Sequence, residues 1–133
     1  MITGRDGPVL AALAAVGVGA VLGAWLRWGL AYWLNPKIEH LPLGTLAANL
    51  VGGYLIGIAV AVFAAHPALS PFWRLLIVTG FLGGLTPFST VSAENVALLA
   101  NGAWGGALLH AGLHLAGSLV ATVVGIASVR AFA

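Results

Sequence analysis

The chain has 133 residues, of which 61% are hydrophobic and only 6% are charged, with a formal net charge of +2. About 25% of the residues in a soluble domain are charged, so the composition excludes an ordinary soluble domain and predicts an integral membrane protein. The small, scattered charge gives no reason to expect a nucleic-acid partner, and the absence of cysteine excludes disulfides and thiol chemistry. At roughly 20 residues per membrane helix, we expect an all-α protein with four spans in one domain, residues 1–133.

The first predicted span covers residues 8–34 and ends in an aromatic belt typical of a membrane interface, formed by Trp25, Trp28, Tyr32 and Trp33. Arg27 lies among these aromatic residues and has two interpretations. Its long side chain can anchor the helix by reaching the interface. Alternatively, its charge attracts anions to a vestibule.

The second predicted span covers residues 43–65. Thr45, Asn49 and Gly53 are spaced four residues apart and therefore share one helix face. The Asn49 amide is costly in hydrocarbon unless it is paired. It is either a hydrogen-bonding contact between helices or a donor that faces a permeating solute.

The third predicted span, residues 72–100, contains a break near 83–87. Gly83 and Gly84 weaken the helix, Pro87 lacks an amide hydrogen, and Thr86 is disfavoured in the helical region because it precedes proline. Backbone groups freed in a membrane must be buried in protein or line a cavity. We therefore expect the functional site at this break, where half-helix N-termini favour anions and unwound carbonyls favour cations.

The segment after the break carries several hydroxyl groups and one acid, Glu94. We expect Glu94 to lie near the far membrane interface, either as a solvated carboxylate at the rim or as a residue that controls access.

The fourth predicted span, residues 103–130, has a polar residue at every fourth position: His110, His114, Ser118 and Thr122. This stripe predicts a face directed toward the bundle interior or an aqueous path. The hydroxyls can instead bond the carbonyl four residues earlier. We expect His110 near an interface, and no metal at the histidines, because the sequence shows no clustered partners for them.

The basic residues barely favour one orientation. Arg5, Arg74 and Arg130 fall on one side of the membrane and Arg27 and Lys37 on the other, so the chain is expected to insert both ways. Four short helices enclose little space, so we expect a pore or cavity between subunits. A chain that inserts both ways can assemble as an antiparallel dimer. Helix contacts are expected at four pairs of glycines spaced four apart, Gly19/Gly23, Gly53/Gly57, Gly80/Gly84 and Gly102/Gly106.

Three segments together resemble the Fluc family of fluoride channels, also called CrcB, over nearly the whole chain. They are Gly23–Trp28, Leu43–Gly52 and Gly80–Thr90, the last being similar to the family's most specific motif. The resemblance implies a dual-topology antiparallel homodimer with two pores. It also implies passive export of fluoride across the inner membrane of a prokaryotic cell, which relieves fluoride toxicity.

The resemblance also implies roles for individual residues. Asn49 would be the pore-lining amide, and Phe88 would turn its electropositive ring edge toward fluoride. A polar track would follow, formed by Ser89, Thr90, His114, Ser118 and Thr122. The carbonyls of Gly83 and Thr86 would hold a structural sodium ion at the dimer centre, and no organic cofactor is expected.

Two positions depart from the family pattern. Val91 stands where the family has a second phenylalanine, which weakens one fluoride site unless a different subunit supplies the ring. Pro87 replaces a threonine, which removes an amide hydrogen and a hydroxyl but keeps the carbonyl.

Two alternatives remain open. A small dual-topology, proton-coupled multidrug or cation transporter would need a carboxylate within the membrane, and only Glu94 could serve. A non-conducting half of a heterodimeric fluoride channel would account for Val91. We do not expect an enzyme, because the sequence shows no nucleophile–base pair.

Overall fold

The computed structural model describes residues 6–35, 42–86 and 88–132, all of which belong to helices or to the turns between them. Four helical stretches are long and apolar enough to cross a membrane: Pro8–Leu34, Leu43–Ala65, Pro71–Ala100 and Trp104–Phe132. The prediction of an all-helical, four-span protein is confirmed. Three of the spans are single helices, namely α1 (Asp6–Leu34), α2 (Leu43–Ala65) and α6 (Trp104–Phe132).

The third span is interrupted, as the glycines and proline predict. It begins with α3 (Pro71–Arg74), continues as a π-helical segment (Leu75–Leu82), and ends its first half with α4 (Gly83–Leu85). Thr86 then leaves the helical region with φ −88° and ψ 118°. Its second half is α5 (Phe88–Ala100). Pro87 lies outside the described residues, but its effect on the preceding residue explains the extended backbone of Thr86.

Polar side chains cap the N-termini of two helices. The Asn35 side-chain oxygen accepts hydrogen bonds from the amides of Gly44 and Thr45, at 2.7 and 3.2 Å, at the start of α2. The Ser70 side chain accepts one from the amide of Phe72, in the first turn of α3. Both contacts satisfy amide groups that have no partner within their own helix.

Close backbone contact holds the spans together in pairs. α1 packs against the third span, where a Cβ at Gly23 would collide with the Phe81 carbonyl oxygen. α2 packs against α6, where a Cβ at Gly57 would collide with the Thr122 carbonyl oxygen. The prediction of helix contacts at small residues is confirmed at these positions. The Gly102/Gly106 pair differs, because Gly102 has a φ of +75° in the turn between α5 and α6 and meets nothing within 4 Å.

The surface of the single chain is strongly apolar. Trp25, Trp28, Trp33 and Leu115 are each at least two-thirds exposed, and Phe88 is 83% exposed. Such surfaces are unusual in a soluble monomer and mark contact with lipid or another protein. The few fully buried side chains therefore matter more than usual, and two of the buried polar ones are histidines.

Candidate functional site: a groove between three spans

An open groove of about 660 Å³ runs between α2, the broken third span and α6. Most of its wall is apolar or glycine, but five of the described lining residues carry polar side chains: Asn49, Thr86, His114, Ser118 and Thr122. None of these side chains is acidic or permanently cationic. The groove therefore offers a solute hydrogen-bonding groups without a fixed charge.

Many of the site residues predicted from the sequence line this groove. They are Asn49, Gly83, Thr86, Phe88, Val91, His114, Ser118 and Thr122. Ser89 and Thr90 are not part of the lining, and Ser89 is exposed whereas Thr90 is half-buried. Arg27 and Glu94 also lie outside it, and both make contacts that the sequence does not reveal.

Asn49 and His114 join the two walls of the groove. The Asn49 Nδ2 atom lies 2.6 Å from His114 Nδ1, so the amide donates a hydrogen bond to the imidazole. Asn49 is therefore paired across two helices and also lines the groove, and its role as a donor to a permeating solute stays a prediction. With Nδ1 accepting, the neutral imidazole carries its hydrogen on Nε2.

The Nε2 atom of His114 is buried and has no hydrogen-bond partner among the described residues. The His114 side chain is only 5% exposed. A buried polar nitrogen without a partner costs about 1–3 kcal/mol, so the position is one where a ligand would be stabilising.

The two hydroxyls deeper in the polar stripe differ from each other. Thr122 Oγ1 donates to the carbonyl of Ser118 at 2.8 Å, the local bond that is the alternative to a role in a polar track. The Ser118 hydroxyl makes no such bond within the described part of the chain, and it is half-buried in the groove wall. Ser118 therefore has a free O–H donor, whereas the only hydrogen of the Thr122 hydroxyl is already used.

Glu94 is hydrogen-bonded in a largely buried network, so it is not the solvated carboxylate that was one of its two interpretations, and its position near the far interface stays a prediction. Thr45 Oγ1 donates to Glu94 Oε1 at 2.6 Å, and His110 Nε2 lies 3.0 Å from Glu94 Oε2. The Glu94 side chain is 19% exposed and that of His110 is 0% exposed. His110 follows the first residue of α6 by six positions and is fully buried among the helices, and its place near an interface stays a prediction.

The two histidines are neighbours in space, and the expectation that they lack clustered partners is wrong. Their ring centroids are 4.4 Å apart. One ligand atom from each of Glu94, His110 and His114 lies within 4.8 Å of the other two. The turn at Gly102 folds α5 back along α6, which brings Glu94 beside residues that follow it by 16 and 20 positions.

Arg27 contacts the broken span directly. Its Nε atom donates to the carbonyl oxygen of Gly84 at 3.0 Å, and the residue is half-buried. This carbonyl lies two residues before Thr86, where the helix ends, and so belongs to the last turn before the break. The side chain thus stabilises the break, a role that neither sequence interpretation of Arg27 included.

The four apolar spans and the uncharged groove between them define a multi-pass integral membrane protein. The chain belongs to the CrcB family, because residues 14–126 match the family model described as CrcB-like protein, Camphor Resistance (CrcB). The resemblance seen in the three sequence segments is therefore confirmed.

Several relatives cover nearly the whole chain. It is 60% identical over 119 residues to the fluoride-specific ion channel FluC of Cupriavidus metallidurans, covering 90% of this chain and 94% of that protein. It is 55% identical over 121 residues to FluC of Thiobacillus denitrificans, covering 91% and 98% respectively. FluC of Pseudomonas putida is 55% identical over 120 residues, covering 90% and 94%.

Proposed function

We propose that this chain forms a fluoride-selective ion channel that lets fluoride leave the cell passively. Relatives that are named fluoride-specific ion channels share 55–60% of its residues over about nine-tenths of its length. The structural observation that carries the proposal is the groove, whose polar lining has donors but no fixed charge. Passive export relieves toxicity, because neutral HF enters a cell, ionises inside, and leaves as the anion.

The lining suits an anion that must lose its water. Removing the hydration shell of a small anion costs tens of kcal/mol unless other donors replace the water. His114 Nε2–H, the Ser118 hydroxyl and the Phe88 ring edge are such donors. None of them carries a full charge, so the ion is held weakly enough to leave, which conduction requires.

A second copy of the chain would complete the pore. The groove is open on one side, and Phe88 is 83% exposed beside it. An antiparallel dimer would cover this surface. Its twofold axis would relate the groove of one subunit to that of the other, giving two pores. The near-even distribution of basic residues supports insertion in both orientations. We place the protein in the inner membrane of a bacterial cell, as a multi-pass protein.

The carbonyls of the break fit a structural sodium ion at the dimer centre. Pro87 has no amide hydrogen and so cannot donate to the Gly83 carbonyl, and Thr86 turns out of the helix. Both residues line the groove. The Gly84 carbonyl already accepts from Arg27, and the family resemblance indicates the carbonyls of Gly83 and Thr86 as the groups that would hold the ion. Bound sodium would neutralise the partial negative charge of these oxygens.

Val91 lies in the groove wall, where the family pattern has a second phenylalanine. A homodimer of this chain would lack that ring in both pores. A heterodimer with a diverged subunit would supply it, so a non-conducting half-channel is the second candidate. A cation transporter is less well supported, because Glu94 is hydrogen-bonded to Thr45 and His110 and does not line the groove.

Fluoride efflux from liposomes tests the proposal. Purified protein in liposomes loaded with fluoride should release it rapidly, as measured with a fluoride electrode, and should release no chloride under the same conditions. No fluoride efflux from the homomer would contradict the homodimeric channel and would favour the half-channel.

Asn49→Asp tests whether the groove is the path. The substitution replaces a donor by a fixed negative charge at the same size, so we expect fluoride efflux to slow by more than tenfold. Asn101→Asp is the matched control, because Asn101 is exposed in the turn between α5 and α6. Equal efflux from the Asn49→Asp protein and the control would remove Asn49 from the path.

A further inference from the structure

Glu94, His110 and His114 form a cluster of which only His114 belongs to the groove wall. Glu94 is held in place by two hydrogen bonds. Two imidazoles and one carboxylate within 4.8 Å of one another are a common ligand set for a transition-metal ion.

We propose that these three side chains bind one divalent transition-metal ion per chain, with Zn²⁺ the best fit. Zinc accepts two histidines and a glutamate, and it leaves a fourth position for water or another ligand. The cluster spans two elements, since Glu94 is on α5 and both histidines are on α6. Bound metal would therefore hold the half-helix after the break against the fourth span.

The free nitrogen of His114 is an independent reason to expect a ligand. Its Nε2 atom is buried and unpartnered within the described part of the chain, while Nδ1 is occupied by Asn49. A metal ion bound through Nε2 would remove this unsatisfied group. The remaining nitrogen would stay hydrogen-bonded to Asn49, whose amide can rotate to present its oxygen.

The Thr45 hydroxyl orients one of the ligands, because Thr45 Oγ1 donates to Glu94 Oε1. Asn95 Nδ2 lies 3.2 Å from His110 Nδ1, and on metal binding the Asn95 amide would rotate to present its oxygen to the hydrogen on Nδ1. These contacts leave Glu94 Oε2 and His110 Nε2 facing each other at 3.0 Å. The ion would replace the hydrogen that these two atoms now share. Each imidazole that binds through Nε2 keeps one hydrogen, on Nδ1, so it must bind in its neutral form.

Bound metal would also affect the groove, and this part of the proposal depends on the proposed function. Two neutral imidazoles, one carboxylate and Zn²⁺ sum to a charge of about +1 beside His114. His114 would no longer donate from Nε2, and the new charge would hold fluoride too firmly for rapid release. We therefore expect Zn²⁺ to inhibit fluoride efflux.

Direct binding measurements test the site without any transport assay. The full chain is purified in detergent with its affinity tag removed, and Zn²⁺ binding is measured by equilibrium dialysis or calorimetry. We expect one Zn²⁺ per chain, and Co²⁺ in its place should give the strong visible absorption of a four-coordinate site. Absence of Zn²⁺ binding or of that absorption would overturn the proposal without the need for any variant.

Substitutions locate the ion. His110→Gln and Glu94→Gln should each weaken Zn²⁺ binding by at least about 100-fold, and Thr45→Val by about tenfold, as expected for a residue that orients a ligand. His66→Gln is the matched control, because His66 is an exposed histidine outside the cluster. Equal binding by the His110→Gln protein and the wild type, or equal loss in the His66→Gln protein, would overturn the site.

Fluoride efflux then separates the two proposals. If Zn²⁺ binds with the expected stoichiometry but the protein conducts no fluoride, the metal site stands and the channel does not. If fluoride flows but Zn²⁺ does not bind, the metal site is wrong and the channel stands.

Discussion

His114 combines three properties in one side chain: it is buried, it lines the groove, and one of its ring nitrogens has no partner among the described residues. Sequence spacing places it on a polar stripe, but spacing does not distinguish it from Thr122 on the same stripe. Contacts set the difference. The Thr122 hydroxyl donates its hydrogen to the Ser118 carbonyl, whereas the Nε2 hydrogen of His114 has no acceptor among the described residues.

The hydroxyl pattern predicts unequal effects of two similar substitutions. Ser118→Ala removes a free donor from the groove and should slow fluoride efflux several-fold. Thr122→Val removes a hydroxyl whose hydrogen is already donated to Ser118, so efflux should change by less than about twofold, and stability by about 0.5–1.5 kcal/mol. The same liposome assay measures both proteins. A larger loss of efflux in Thr122→Val than in Ser118→Ala would contradict this assignment.

Arg27 is predicted to stabilise the break in the third span rather than to take part in ion conduction. Arg27→Gln removes the charged donor to the Gly84 carbonyl, and we expect a loss of about 1.5–3 kcal/mol, the range for a hydrogen bond to a charged group. Thermal unfolding in detergent measures this loss. Arg130→Gln is the control, because Arg130 is exposed near the end of α6. Equal melting temperatures for the two variants would show that the Arg27 contact contributes nothing.

At the scale of helices, the sequence predicts the four spans and the break, but not the cluster beside it. The break follows from local chemistry, because Pro87 and the glycines before it act on their own neighbours. The cluster depends on where α5 meets α6, which is set by the turn at Gly102 and by the packing of two faces. No periodicity within α6 reveals that Glu94 lies beside His110.

The π-helical segment Leu75–Leu82 is also beyond sequence reasoning. Its residues are apolar and would suit an ordinary α-helix, so no local signal calls for the wider turn. The segment packs against α1 and ends at Leu82, before the short helix α4 that leads to the break. Its wider turn changes the direction in which later side chains point. Packing between spans, rather than propensity, accounts for it.

The contact between α1 and the third span predicts a sharp difference between two glycines of the same helix. Gly23→Ala places a Cβ against the Phe81 carbonyl oxygen, so it should cost about 1–3 kcal/mol through overpacking. Gly29→Ala meets nothing within 4 Å and should be neutral or slightly stabilising. Thermal unfolding of both proteins in one detergent checks this. Similar destabilisation in both would mean that the two helices are not in contact at Gly23.

For the whole molecule, the question is which surfaces face lipid and which face a second copy. A single chain leaves the groove open and Phe88 almost fully exposed. The dimer proposed above would remove both features. Its orientation can be measured because the chain has no native cysteine.

A single cysteine at Leu69 would report the orientation of each copy. Leu69 is exposed in the turn between α2 and α3, so a thiol there should be accessible to reagents. If the chain inserts both ways, a membrane-impermeant maleimide added to intact cells should label about half of the copies, and permeabilised cells should label fully. Labelling of all copies or none in intact cells would contradict dual topology.

The hydrogen bond between Arg27 and Gly84 also has a consequence for biosynthesis. The two residues are 57 positions apart, so at about 5–20 residues per second Gly84 is synthesised about 3 to 11 seconds after Arg27. During that interval the first span is in the membrane while the Arg27 guanidinium has no hydrogen bond to the Gly84 carbonyl. An arginine at the centre of a span costs about 2.5–3.5 kcal/mol on the insertion scale, and less near an end. Arg27 lies seven positions from the end of α1 and can remain hydrated at the interface until Gly84 is in place.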